Sequence, residues 1–237
     1  MKNPAAGGGR WVDVPPERLV SWIVTFTHRH GAGPVAGDAA GAAVTFGAAD
    51  GAVAECHPPF PPLRWTGTGD EGDPAAVAEA LVAHAVADRT VGVLLVRLGG
   101  YAAGVFTGSP PRLVSSKTGS RPVHGRSAAG GWSQHRFARR RENQATAALR
   151  AAADAAAAIF GPHRLDELVL GGDKRSIAGI RGDPRLAPYL ALATDRFLTV
   201  PDPRLAMLKE IPSSFLAIRI RLTEPESVSP PSADQVN

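Results

Sequence analysis

From Phe137 onward the apolar residues fall on a single helical stripe, formed by Phe137, Ala145, Ala148, Leu149, Ala152, Ala156, Ile159 and Phe160. Their three- and four-residue spacing is that of one face of an α-helix. Gly161-Pro162 stops the pattern, as a helix terminator should. At about 1.5 Å per residue such a helix extends roughly 35–40 Å. Its first turns are basic and its remainder is alanine-rich and neutral. The neutral part is therefore expected to pack on a sheet and the basic end to face a partner.

Charge is unevenly placed along the chain. The formal net charge is +4, but Arg112 to Arg141 holds eight Lys/Arg and no Asp or Glu. That segment carries +8 and leaves −4 for everything else. A concentration of this kind is the electrostatic footprint of a nucleic-acid site, and a solvated basic helix face gives the same count. A chain of 237 residues that is 44% apolar can form one sizeable core, or one core with a small accessory unit. It has no apolar run of 18 residues, and MKNPAAGGGR lacks the apolar region of a signal peptide, so a cytoplasmic protein is expected. The single cysteine, Cys56, excludes an internal disulfide framework and a cysteine-based metal cluster. It is expected to be a small buried hydrophobe.

Residues 1–10 are small and polar and are expected to be disordered. Pro15-Pro16 opens a helix with Leu19, Trp22, Ile23 and Phe26 at helical spacing, closed by His28-Arg29-His30 before Gly31. Those cations suit a helix C-terminus. Residues 42–56 are two alternating apolar runs joined by Asp50-Gly51, a β-hairpin signal. The proline-rich stretch 57–65 then marks the boundary between an N-terminal helix-and-hairpin appendage (1–65) and the main body (66–222). In that body Asp73 caps a short helix with Pro74 at its first position and Val77, Leu81 and Val82 on its apolar side. Residues 90–108 read as two strands turned at Gly99-Gly100, followed by a third short strand, "RLVSS". The stretch 117–131, rich in glycine and serine, is expected to be a long loop. Further on come strands at 165–172, 196–200 and 215–222, the last with Arg219 and Arg221 on one face, and short helices at 184–192 and 203–210. "GGDKRS" (171–176) reads as a strand-end glycine turn in which Lys174 and Arg175 could meet phosphate. A polar tail, 223–237, is expected to be disordered. The fold class is α/β, with helices packed on a mixed β-sheet.

"KTGSRPVHGRSAAGGWSQHRFARRREN" (117–143) resembles the catalytic loop and helix of the archaeal and eukaryotic class I peptide release factors, where a Gly-Gly-Gln tip precedes a helix beginning Arg-Phe-Ala-Arg. With "RFAR" (136–139) as anchor, Trp132 stands at the usual glutamine position and Gln134 two residues later. Gly131-Trp132-Ser133-Gln134 is similar instead to the Gly-x-x-Gln tip of the release-factor-like peptidyl-tRNA hydrolases of ribosome quality control. The resemblance covers roughly residues 90–222 and implies a release-factor catalytic-domain-like, RNase H-like core. It implies a peptidyl-tRNA ester as substrate, and the large ribosomal subunit, rRNA and peptidyl-tRNA as partners. Neither a metal or other cofactor nor a membrane or DNA partner is implied.

The chemistry accounts for a glutamine. An activated ester needs little acid–base help, and a positioned water with a stabilised oxyanion can suffice. The Gln134 amide can both donate and accept, so it can orient a water while its backbone N–H faces the developing charge. Gly131, like Gly130, permits close backbone approach, Ser133 completes the tip, and Trp132 could stack on a terminal base. Lys117, Arg121, Arg126, Arg136, Arg139, Arg140 and Arg141 would hold RNA phosphates and set the register of the tip. Two rivals stand beside this reading. One is a tRNA nuclease, whose only clustered carboxylates, Asp166, Glu167 and Asp173, straddle one strand, or a metal-free cut near the tRNA 3′ end by the same loop. The other is a ribosome- or RNA-binding module with an inert tip.

Overall fold

The computed structural model describes residues 3–5, 8–63, 73–97, 99–120 and 133–225, with 133–141 as backbone only. The chain divides into two compact units, one of Met1–His84 with Ile218–Asn237 and the other of Ala85–Ala217.

In the first unit the expectation of disorder over residues 1–10 gives way to a short strand, β1 (Asn3–Pro4), paired antiparallel with β2 (Arg10–Val14). Helix α1 (Pro16–His30) follows from Pro15-Pro16 as expected. It buries Leu19, Ile23 and Phe26 and packs on β2. A three-residue strand, β3 (Val35–Gly37), leads to the hairpin of β4 (Val44–Gly47) and β5 (Val53–His57). The turn between them holds Asp50, which accepts from the Ala52 N–H at 2.9 Å, and Gly51, at φ 88°. Helix α2 (Pro74–Ala85) is capped by Asp73, which accepts from the Ala75 N–H at 3.0 Å. Val77 and Leu81 are buried along it.

The second unit is built on a five-stranded mixed sheet. Strands β6 (Val91–Arg97) and β7 (Gly100–Thr107) form the expected antiparallel pair. Its third strand, β8 (Arg112–Ser120), is longer than "RLVSS" because β7 offers partners along its whole length, down to Gly100 opposite Ser120. Lys117 is therefore a strand residue paired with Ala103, and the link to the next element starts later than the sequence suggested. Helix α3 (Ser133–Phe160) is a single 28-residue element, about 42 Å long at 1.5 Å per residue. It packs on β7 and β8 and buries Ala152, Ala153, Ala155, Ala156 and Phe160. After it come β9 (Glu167–Gly172), α4 (Lys174–Ile180), α5 (Ala187–Leu190), β10 (Ala193–Leu198) and α6 (Leu205–Phe215). The sheet order is β10-β9-β6-β7-β8, with β6, β9 and β10 parallel to one another. Leu94, Val96, Ala103, Val105, Leu168 and Leu170 supply the sheet side of a core closed by α3, Ile177 and Leu186.

The last strand, β11 (Ile218–Thr223), leaves this sheet. It pairs antiparallel with β2 and β5 in the first unit, giving the order β1-β2-β11-β5-β4-β3. A strand placed by sequence in the 66–222 body thus completes the N-terminal sheet, because the open edges of β2 and β5 supply its partners. Its alternation is as read: Ile218, Ile220 and Leu222 are buried, while Arg219 and Arg221 take the other face. Cys56 is buried on β5, and burial, with Glu55 beside it, pushes its thiol pKa far up.

Candidate functional site

In the second unit the carboxyl ends of β6, β9 and β10 lie at one edge of the sheet, since Val96 is opposite Gly172 and Gly171 opposite Leu198. Open α/β sheets bind ligands outside that edge. The end of β8 joins it, because Gly100 pairs with both Arg97 and Ser120. Helix α3 finishes at the opposite edge, where a Cβ on Gly92 would come 3.5 Å from the Phe160 ring. The helix therefore runs from the carboxyl edge, where β8 also ends.

Along α3 the ten residues Glu142–Ala151 include no buried one, and burial begins at Ala152. The packed part of the neutral stretch thus begins later than expected, and the side chains of the basic turns lie outside the described residues. Ser133 and Gln134 are the first two residues of α3, so they belong to its first turn and not to a loop tip ahead of it. The first four N–H groups of an α-helix have no partner within it, and the positive end of the dipole lies there. Arg136, Arg139, Arg140 and Arg141 occupy the next turns of the same helix. Gly131, Trp132, Arg121 and Arg126 lie outside the described residues, and Lys117 is exposed on the edge strand β8.

Two residues at this edge, Arg97 and Tyr101, were not singled out from sequence. Arg97 closes β6 and donates from Nη1 to the Val200 carbonyl at 2.9 Å. Tyr101 lies over Gly119, near the end of β8. Asp173, read as part of a glycine turn, caps α4: it accepts from the Arg175 N–H at 3.0 Å and from the Ser176 hydroxyl at 2.9 Å. The Ser176 hydroxyl and then the Arg175 N–H hold its carboxyl below the usual range. Just before it, Gly172 takes φ 100°, and a Cβ there would lie 2.2 Å from the Val96 carbonyl oxygen, so only glycine fits. The Lys174 ammonium stands 5.8 Å from the Phe197 ring centroid.

The carboxylates named for a nuclease do not form one centre. Asp166 and Glu167 stand at the start of β9 and Asp173 beyond its end, roughly 20 Å away at about 3.3 Å per residue. Asp166 accepts from the Thr90 N–H at 2.7 Å. Glu167 has its pKa raised by burial, opposed by Arg89. Among the described residues no three His, Cys, Asp or Glu are grouped to hold a metal ion, and no helix is long and apolar enough to cross a membrane.

Compared with known proteins, the chain matches the family model described as actinobacteria/chloroflexi VLRF1 release factor over residues 89–221. Among solved structures, the archaeal translation termination factor aRF1 is 13% identical with a TM-score of 0.41, covering 87% of this chain and 66% of that one. The Vms1 mitochondrial localization core is 12% identical with a TM-score of 0.33, covering 77% of this chain and 76% of that one. The chain thus spans 66% of the length of the archaeal factor. No curated protein matches it. The family match takes in all five strands of the second unit's sheet, α3 and the segment joining β8 to α3, and on that span the chain belongs to the actinobacteria/chloroflexi VLRF1 release factor family.

Proposed function

We propose that the protein is a peptidyl-tRNA hydrolase that releases nascent peptides from tRNA on stalled large ribosomal subunits. The observation that carries this reading is the family match over 89–221 together with Gly131-Trp132-Ser133-Gln134 at the entry to α3. A second support is the sheet: its strands taken in chain order stand third, second, first, fourth, fifth, with the first three antiparallel and the last two parallel to the first, an arrangement in keeping with an RNase H-like core.

In the proposed reaction a water oxygen attacks the ester carbonyl carbon that links the peptide to the terminal ribose of tRNA. Gln134 orients that water through its side-chain amide, and unpaired N–H groups of the first helical turn face the oxyanion. The bond from the carbonyl carbon to the ribose oxygen then breaks. The ribose oxygen takes up a proton, and the peptide leaves with a free carboxylate. Lys117, Arg121, Arg126, Arg136, Arg139, Arg140 and Arg141 hold rRNA and tRNA phosphates, and Trp132 stacks on a base at the tRNA end.

The deciding experiment adds purified protein to isolated large subunits that carry peptidyl-tRNA with label on both peptide and tRNA. The expected products are free peptide and a tRNA with an intact 3′ end. Peptide still joined to a short nucleotide fragment would point to cleavage of the tRNA, and binding without any product would point to an inert module. Either result overturns the reading.

A further inference from the structure

We infer that the first unit carries a second RNA-binding site, a cationic groove along α1 that takes a short single-stranded segment. This groove, of about 280 Å³, lies between α1 and the ends of β2 and β11 and is lined by Arg10, Arg18, Trp22, Arg29, Leu222 and Glu224 among others. Its residues precede the family-matched span, apart from those at the end of β11 and just beyond it.

Helix geometry assembles the site. Arg18, Trp22, Thr25 and Arg29 recur at four-, three- and four-residue intervals, which puts them on one face. Arg18 and Arg29 are eleven residues apart, about 16 Å along the axis, with the indole between them. Both arginines are exposed, and neither has an ion-pair partner among the described residues. Arg10 meets Glu224 at 3.5 Å, with both side chains more than a third exposed, a surface pair weak enough for a phosphate to displace. Asp50, beside the groove-lining His30, is held by His30 Nδ1 at 2.8 Å.

Trp22 identifies the kind of polyanion. Its ring is stacked on Phe26, with centroids 5.8 Å apart and planes within 5°, so one indole face is backed and the half-buried ring is held in place. A second flat ring can stack only on the remaining face. Cations that track a backbone, flanking an aromatic platform, are how proteins bind unpaired nucleic acid without reading its sequence. A duplex keeps its bases stacked inside and presents no face to the indole. Ser21 and Thr25 return their hydroxyls to the helix, donating to the Arg18 and Ser21 carbonyls at 3.0 and 2.7 Å. That ties up both hydroxyl protons, so charge and stacking carry the recognition on this surface.

The site is independent of the release chemistry and is tested without it. In the full chain, Trp11, Trp65 and Trp132 are replaced by Phe so that Trp22 is the sole tryptophan, and its emission is followed against a dye-labelled twelve-nucleotide oligouridine. Stacking should quench Trp22 over the same concentrations that raise the oligonucleotide's anisotropy. Arg18→Ala with Arg29→Ala should weaken that quenching curve on the order of 10-fold and flatten its salt dependence by about 1.4, two phosphates at roughly 0.7 each. In the otherwise native chain, Trp22→Ala should weaken oligouridine binding by on the order of 10-fold. Saturated anisotropy with unchanged Trp22 emission overturns the inference, because the RNA would then sit elsewhere. Equal quenching by an RNA duplex, by polyglutamate or by anionic lipid vesicles overturns it as well.

Discussion

Tyr101 lays its ring over Gly119, its register partner on β8, so closely that a Cβ on Gly119 would stand 2.5 Å from both Cζ and the hydroxyl oxygen. An aromatic covering a glycine on a neighbouring strand helps pin register. Here the pinned residue is the last but one of the strand that feeds the candidate catalytic segment. Gly119→Ala should swing the ring outward without breaking the strand, since a side-chain end can move where backbone cannot. Melting should fall by only about 2–4 °C, as for ~1 kcal/mol in a chain of this size. Peptide release should fall several-fold, because the start of the catalytic segment loses its anchor. Unchanged release would show that the end of β8 does not position the tip.

Gln134→Ala should lower single-turnover peptide release by ~10²–10³, the usual cost of deleting one polar contact to a reacting centre. Subunit binding and melting should stay near the wild-type values. Because Gln134 lies in the first turn of α3, the side-chain and backbone contributions are separable. If the N–H dominates, Ala retains appreciable activity and Gln134→Pro, which removes the donor, loses more. Proline is tolerated in a first helical turn, so the fold should survive. Wild-type release by both variants would sink the assignment.

Arg139→Ala, Arg140→Ala and Arg141→Ala combined should weaken binding to large subunits and reduce the slope of log K against log[salt] by roughly 2–3, at 0.7–0.9 per lost phosphate contact. The motive is the run Arg139-Arg140-Arg141 near the start of α3, in a segment, Arg112 to Arg141, that holds eight Lys/Arg and no acid. Titrations at several salt concentrations give the slope directly. An unaltered slope would mean that these arginines face only water.

What the sequence disclosed follows from how local each signal is. The α1 and α3 helices announce themselves by apolar spacing and by a proline or a Gly-Pro at one end, and the β4–β5 hairpin by Asp50-Gly51. These are short-range instructions. Strand β2 was hidden because its partner, β11, lies some two hundred residues away, and "RWVDV" has no turn signal of its own. The alternation of β11 was plain, yet alternation fixes which residues are buried and not which sheet receives the strand. Helix α4 was missed because seven residues give too little periodicity to outweigh the glycines before it. The candidate segment 117–143 stood out by its motif and charge, but that β8 ends and α3 begins at the carboxyl edge of the parallel strands depends on pairings that only the fold makes.

Cys56 offers a local probe of the N-terminal sheet. It is fully buried on β5, between β4 and β11, where Val44 and Ile220 are its register partners. Burial raises its thiol pKa above the unfolded value, so the associated stability is present below an unfolded pKa of about 8.5 and lost as pH rises beyond it. A thiol reagent should therefore label Cys56 slowly and only through opening of this sheet. The labelling rate should rise about tenfold per pH unit and keep rising past about pH 8.5, because the opening equilibrium itself grows as the open-state thiol ionises. Ile220→Ala removes a fully buried side chain beside Cys56 at a cost of about 2–5 kcal/mol. If opening is in rapid equilibrium, even the lower end accelerates labelling roughly 30-fold. Labelling that ignores Ile220→Ala would show that the thiol is reached without opening the β4–β5–β11 sheet.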